Sequence, residues 1–207
     1  MTVTERIVVQ ATEMFIHTGI RAITVDDISK EAGVSKRTIY ENFRDKNELL
    51  RACLMHVDRL HEKESGEIIS GSKNTIDLVF KSLRHGVKAI SSINPVFFTD
   101  LKKYHFRIWK ETYEINHQKY LAQTSVILKK GINEGLIRKE IDIDIVVRLL
   151  NEHLKIMSDE QVFPSDRFSK TAVFEHIVIN FVRGIATSKG LEMIEKCIHD
   201  YRSAQVM

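Results

Sequence analysis

Pro95 and Pro164 are the only prolines in 207 residues, and apolar residues recur at spacings of three and four with little strand-like alternation. That periodicity restricts the chain to an all-α fold of about nine to ten helices. Ile7, Ala11, Met14 and Phe15 mark one face of a first helix, which is expected to begin after Thr4 and to stop at Gly19. Thr24 N-caps a second helix, about Val25 to Ala32, with Asp27 as its short-armed capping-box partner. Gly33 ends it, Ser35 caps a third helix over about Lys36 to Asn42, and Asp45 caps a fourth whose expected buried stripe is Leu49, Cys53, Val57 and Leu60.

A polar stretch from Ser65 to Asn74 is expected to separate this head from the rest, although the fourth helix bridges much of it. The domain boundary is placed near residue 48, giving domains 1–48 and 49–207. Beyond it, Ile76 to Ile90 predicts a fifth helix, and Asn94-Pro95 opens a short sixth. A long seventh stops near Gly131 to Gly135. Asp142 caps an eighth running to about Met157. A ninth is predicted from about Phe168 to Thr187 and a tenth from Leu191 to about Tyr201.

Composition sets bounds on function. The net charge of +3 permits a nucleic acid partner without arguing for one, and residues 1–46 as a whole balance seven cations against seven carboxylates. Within them, however, Lys36, Arg37, Arg44 and Lys46 stand against only Glu41 and Asp45. No stretch approaches roughly eighteen consecutive apolar residues, and there is no secretory leader pattern, so the reading is a cytoplasmic protein with no membrane partner. Cys53 and Cys197 lie far apart among helical apolar positions and read as idle thiols. No cofactor is expected. The chain lacks a phosphate-binding glycine loop, an H-E-x-x-H pair and a nucleophile elbow, which argues against an enzyme. His61 and Glu64 have a chelating spacing and Cys197 with His199 does not; neither pair is read as a metal site.

Two short helices around a turn containing Gly33, with another packed across them, are the parts of a helix-turn-helix. On the second of the pair, Ile39 and Phe43 point inward, which places Lys36, Arg37, Tyr40 and Arg44 on the exposed side. Arginine offers a fork for guanine, threonine suits a thymine methyl or a phosphate, and tyrosine a phosphate oxygen. Lys46 opens the next helix, where free N–H groups also favour phosphate.

The run "TVDDISKEAGVSKRTIYENFRDKNELL" resembles the DNA-binding head of the TetR family of transcriptional regulators, whose usual pattern is T-x-x-x-I-A-x-x-A-G-V-S-x-x-x-x-Y-x-x-F-x-x-K-x-x-L. The resemblance covers about the first fifty residues and extends to the remainder only by helix order. It implies base contacts from Lys36, Arg37 and Thr38, and backbone contacts from Thr24, Tyr40 and Lys46, to which Ser35 and Arg44 are added as phosphate candidates. Arg37 departs from the family, where many members carry glycine, alanine or proline, so it either reads a base or reaches a phosphate.

The eighth and ninth helices are apolar on most of their circumference and need covering on two sides. The expected second cover is the same pair from another copy, with Val146, Leu150, His153, Phe174, Ile177 and Phe181 at a homodimer interface, as the resemblance also implies. Paired recognition helices about 34–36 Å apart would read a palindrome. The aromatic concentration from Phe97 to Tyr120 suits an apolar or aromatic small-molecule effector, with Phe98, His105, Trp109, Tyr113 and His117 as the candidate wall. Together these predict a ligand-responsive regulator, a repressor released by its effector. The alternatives are an activator of the same type, or an interaction protein that keeps the helix-turn-helix without reading DNA.

Overall fold

The structure, a computed structural model, describes residues 1–157, 159, 161–164 and 166–203, but not the side chains of Ile90, Tyr113, Ile115, Asn116 and residues 201–203. Its helices are α1 (Val3–Thr18), α2 (Val25–Glu31), α3 (Lys36–Asn42), α4 (Lys46–Ser70), α5 (Thr75–Ser92), α6 (Pro95–Tyr104), α7 (Phe106–Asn133), α8 (Ile143–Ile156), α9 (Lys170–Ile185) and α10 (Ser188–Ser203). The all-α expectation holds. Among the described residues the only β pairing is an isolated antiparallel bridge between Ile137 and Ala186.

Local chemistry sets most helix starts. Thr24 and Asp27 form the expected capping box, Ser35 accepts from the Thr38 N–H, Asn94 caps a helix that opens on Pro95, and Asp142 caps α8. α1 starts earlier than expected, because Thr2 and Glu5 form a second capping box ahead of Thr4. α4 also differs from expectation. It continues through Ser65 and Gly66 to Ser70, so only Gly71 to Asn74 is left as a connection. One interior glycine costs about 1 kcal/mol, which a helix of this length absorbs. Leu60 is exposed rather than part of a buried stripe, and Leu49, Leu50 and Cys53 are the residues of α4 that are buried.

Packing divides the chain into two units. The first comprises residues 1–66 and 91–116, so α6 and the first turns of α7 pack with the head. Its core joins Ile7, Ala11 and Phe15 of α1 to Ile28, Ile39, Phe43, Leu49, Leu50 and Cys53, and is closed by Phe97, Leu101 and Ile108. Burial pushes the Cys53 thiol up to about 12, which makes it inert as a nucleophile. The second unit, residues 67–90 and 117–207, is built on Ile76, Phe80, Leu83, Leu128, Val147, Val182, Ile185, Ile194 and Ile198. Within it, Arg138 N–H donates to the Ile185 carbonyl at 2.9 Å, fastening the segment after α7 to the end of α9.

Candidate nucleic-acid interface

The turn between α2 and α3 follows from glycine chemistry. The Gly33 N–H donates to the Lys30 carbonyl at 3.2 Å and the Val34 N–H to the Ser29 carbonyl at 3.0 Å, a Schellman ending that needs a left-handed residue. Gly33 supplies it with φ of +60°. The chain then reverses into Ser35, whose hydroxyl accepts from the Thr38 N–H at 3.0 Å and starts α3. Ile39 and Phe43, 2% and 6% exposed, lock that helix onto the core. Lys36, Arg37, Tyr40 and Arg44 are exposed, while Thr38 is half-buried. A bond from Thr4 Oγ1 to Asn42 Oδ1 at 2.5 Å also ties α3 to α1, a constraint that the local pattern around Asn42 does not announce.

Carboxylates pair with the cations of this face. Lys36 pairs with Asp26 at 3.0 Å, Arg37 with Glu41 at 2.9 Å and Arg44 with Asp45 at 3.8 Å. The Asp26 hydrogen bond, then its charge, raises the Lys36 ammonium above its ordinary range. Exposed pairs of this kind are worth about 0–1 kcal/mol, against about 1–3 kcal/mol for a good bidentate contact to a base. Pairs this weak leave the cations of the face available to a stronger partner.

Of the residues expected at phosphates, Tyr40 presents its ring to solvent, 49% exposed. The hydroxyls of Thr24 and Ser35 serve as caps: Thr24 Oγ1 donates to Asp27 Oδ2 at 2.6 Å, and Ser35 Oγ lies 2.8 Å from Thr38 Oγ1. Those bonds to Thr24 hold the Asp27 carboxyl below its ordinary value. Lys46 is half-buried, and its ammonium donates to the Ile20 carbonyl at 2.5 Å and to that of Ile23. Desolvation pulls its pKa down. A lysine so placed staples the α1–α2 loop, and its side chain is directed inward rather than outward.

The five residues expected to contact an effector do not share one role. Phe98, 43% exposed, stands edge-on to the buried Phe97 at 5.5 Å. His105 ends α6 and its Nδ1 lies 2.9 Å from Asn47 Oδ1, while Trp109 packs on the first core with Phe106 at 5.5 Å. His117 belongs to the second unit, and the Tyr113 side chain lies outside the described residues. A polar pair not singled out from sequence lies on α7, where Tyr120 bonds Thr124 and burial pushes the phenol up.

On the second unit, α8 and α9 pack together and turn an apolar ridge outward. Ile145, Leu149 and Ile156 are 56%, 49% and 42% exposed, opposite the buried Val147. The exposed His153 meets the Phe181 ring at 6.1 Å. Val146, Leu150 and Ile177 are half-buried at the margins, and Phe174 packs inward against Gly86.

A packed three-helix head with a polar, exposed second helix after a glycine turn defines a helix-turn-helix DNA-binding regulator. Residues 7–53 match the family model described as bacterial regulatory proteins, tetR family. Residues 7–53 therefore form a DNA-binding domain of that family's kind. The chain is 26% identical over 161 residues to the transcriptional repressor KstR2 of Mycobacterium tuberculosis, spanning 69% of this chain and 72% of the relative. Over 56 residues, 27% of this chain and 26% of the other, it is 41% identical to the transcriptional activator FasR of Mycolicibacterium smegmatis. In fold it is similar to a regulator from Saccharomonospora viridis solved in complex with choline, with a TM-score of 0.71 and 15% identity over 89% of this chain and 97% of that one. The matched family model and the relatives are transcriptional regulators, and that, not any missing motif, sets the enzyme class aside. No described helix is long and apolar enough to cross a membrane.

Proposed function

We propose that this regulator is a cytoplasmic repressor that binds palindromic operator DNA as a homodimer and is released by a small apolar or aromatic effector. The observation that carries the reading is the exposed face of α3, Lys36, Arg37 and Tyr40, on a helix anchored by Ile39 and Phe43. In this reading Lys36, Arg37 and Thr38 meet base edges. Tyr40 and Arg44 meet phosphates, together with the backbone N–H groups around Thr24, Ser35 and Lys46. Residues 1–48 hold this reading surface and residues 49–207 carry the rest of the function. The ridge of Ile145, Leu149 and Ile156, flanked by Val146, Leu150, His153, Ile177 and Phe181, is the surface a second copy covers, because an apolar strip of this length is poorly left in water.

The names of the relatives support a regulator of either sign, since KstR2 is a repressor and FasR an activator. Repression is favoured because the match to KstR2 extends well beyond the head. A small-molecule response is supported by the choline complex of a protein with this fold and by the aromatic content of α6 and α7. A coupling of about 1–3 kcal/mol between effector and operator suffices for regulation. The test is selection of bound sequences from a random duplex pool with purified protein at near-physiological salt. An enriched palindrome with half-sites about one helical turn apart is expected. No enrichment by a folded dimer would overturn the reading in favour of a head that no longer reads DNA.

A further inference from the structure

Close to the recognition face, the C-terminal end of α6 gathers cations of a different kind from those on α3. Tyr104 is 46% exposed, and its ring carries two cations, the Arg21 guanidinium at 4.2 Å and the Lys103 ammonium at 5.4 Å. Lys102 lies beside them in sequence, with its ammonium 5.7 Å from the Trp109 ring. Among the described residues none of the three pairs with a carboxylate, whereas Lys36, Arg37 and Arg44 all do. The single acid within this stretch, Asp100, is buried and spends Oδ2 on the Arg21 N–H at 2.8 Å. Positive charge collected on an exposed aromatic, without compensation, is a surface suited to a polyanion.

Its position says which polyanion. Arg21 sits in the loop whose Ile20 and Ile23 carbonyls hold Lys46, three residues before the Thr24 cap of α2. His105, next to Tyr104, lies 2.9 Å from Asn47 at the first turn of α4. The patch is therefore continuous with the part of the head expected to face the DNA backbone. It is rigidly joined to it as well: the Asn94 N–H donates to the Ile16 carbonyl at 3.0 Å, and Gly19 approaches α6 so closely that a Cβ would stand 2.7 Å from Val96 Cγ1.

We infer that Arg21, Lys102 and Lys103 form a second phosphate-binding strip, so that α6 grips the DNA backbone beside the half-site that α3 reads. This rests on the DNA-binding reading above. The strip contributes affinity and not sequence preference, because phosphates are the same at every base pair.

The experiment measures the affinity of the dimer for its selected operator against salt concentration, for the wild type and for K102Q/K103Q. Each phosphate contact contributes about 0.9 to the slope of log affinity on log salt, and the dimer carries both lysines on each of its two chains, so the variant should lose roughly three to four units of slope. Its preference for operator over scrambled duplex should be unchanged, and K102R/K103R should restore the slope. K139Q/K196Q removes the same charge from exposed positions of the second unit and should leave the slope as in the wild type. An unchanged slope in K102Q/K103Q, or an equal loss in the control pair, overturns the strip while leaving the DNA-binding reading intact. A wild type that prefers no duplex overturns that reading and the strip with it.

Discussion

Lys46 Nζ lies 2.5 Å from the carbonyl oxygen of Ile20, and the same ammonium also bonds the carbonyl of Ile23. A residue that the sequence places at a phosphate thus closes the loop that positions α2. Hydrogen bonds to a charged group contribute about 1.5–3 kcal/mol, and Lys46 is only half-buried, so Lys46→Met should lower stability by about 2 kcal/mol. Urea unfolding with the second unit intact would read this as a lower midpoint for the head. DNA affinity should fall alike for every sequence. An unchanged midpoint would return Lys46 to a purely DNA-facing role.

Arg37 is one position where this chain departs from the usual TetR pattern, and its Glu41 pair is too exposed to matter for folding. Arg37→Ala should leave thermal unfolding unchanged, cost about 1–3 kcal/mol at one base pair of each half-site, and relax specificity there. Tyr40→Phe should instead weaken all sites together, by about 1 kcal/mol, through loss of a phosphate hydrogen bond. Competition binding against single-substitution operators separates the two patterns. A uniform loss with Arg37→Ala would make it a phosphate contact.

What could be read from the sequence was local chemistry. The Thr24 and Asp27 box, the Ser35 cap, the Gly33 turn and the Ile39 and Phe43 anchors each involve residues within a few positions of one another. Their mutual spacing made the head legible. What stayed hidden depends on distant partners. No local pattern shows that Lys46 reaches back to Ile20, that Asp100 accepts from Arg21, or that Phe97 and Leu101 close the first core. The outward face of α8 was ambiguous for a related reason. Its apolar residues include neighbours on different faces, such as Ile145 with Val146 and Leu149 with Leu150, and the burial of Val147 and Asn151 fixes the rotation that exposes Ile145 and Leu149 rather than Val146 and Leu150.

That rotation makes the dimer prediction specific. Ile145→Asp with Leu149→Asp puts two carboxylates at the centre of the ridge, where both side chains already meet water in the single chain. Folding of the monomer should be nearly unaffected, because surface substitutions away from packed sites rarely exceed about 0.5 kcal/mol. Association should be lost by several kcal/mol, since buried unpaired charges are strongly unfavourable. Sedimentation should show a helical monomer, and operator affinity should fall steeply because one head grips one half-site. A variant that remains dimeric would move the interface off α8.

His105 gives the head a pH dependence whose direction is fixed by its surroundings. Burial is the larger cause and the Lys46 charge the second in lowering its pKa from an ordinary 6.5, with Asp100 opposing them. The unfolded chain therefore takes up a proton below about pH 6.5 that the folded head still refuses, so the unfolded state binds more protons and stability falls as pH falls. The loss begins near the ordinary value and ends once the pH has passed the lowered one. His105→Gln keeps a donor for Asn47 Oδ1 and carries no titrating ring, so it should lack this loss. Melting temperatures of the two proteins from about pH 8 to about pH 5 should converge or cross as the pH drops, the wild type falling faster. Acid effects common to both proteins cancel in that difference. A gap that stayed constant across the range would mean that His105 titrates in the head as it does in water, and that neither burial nor Lys46 holds it neutral.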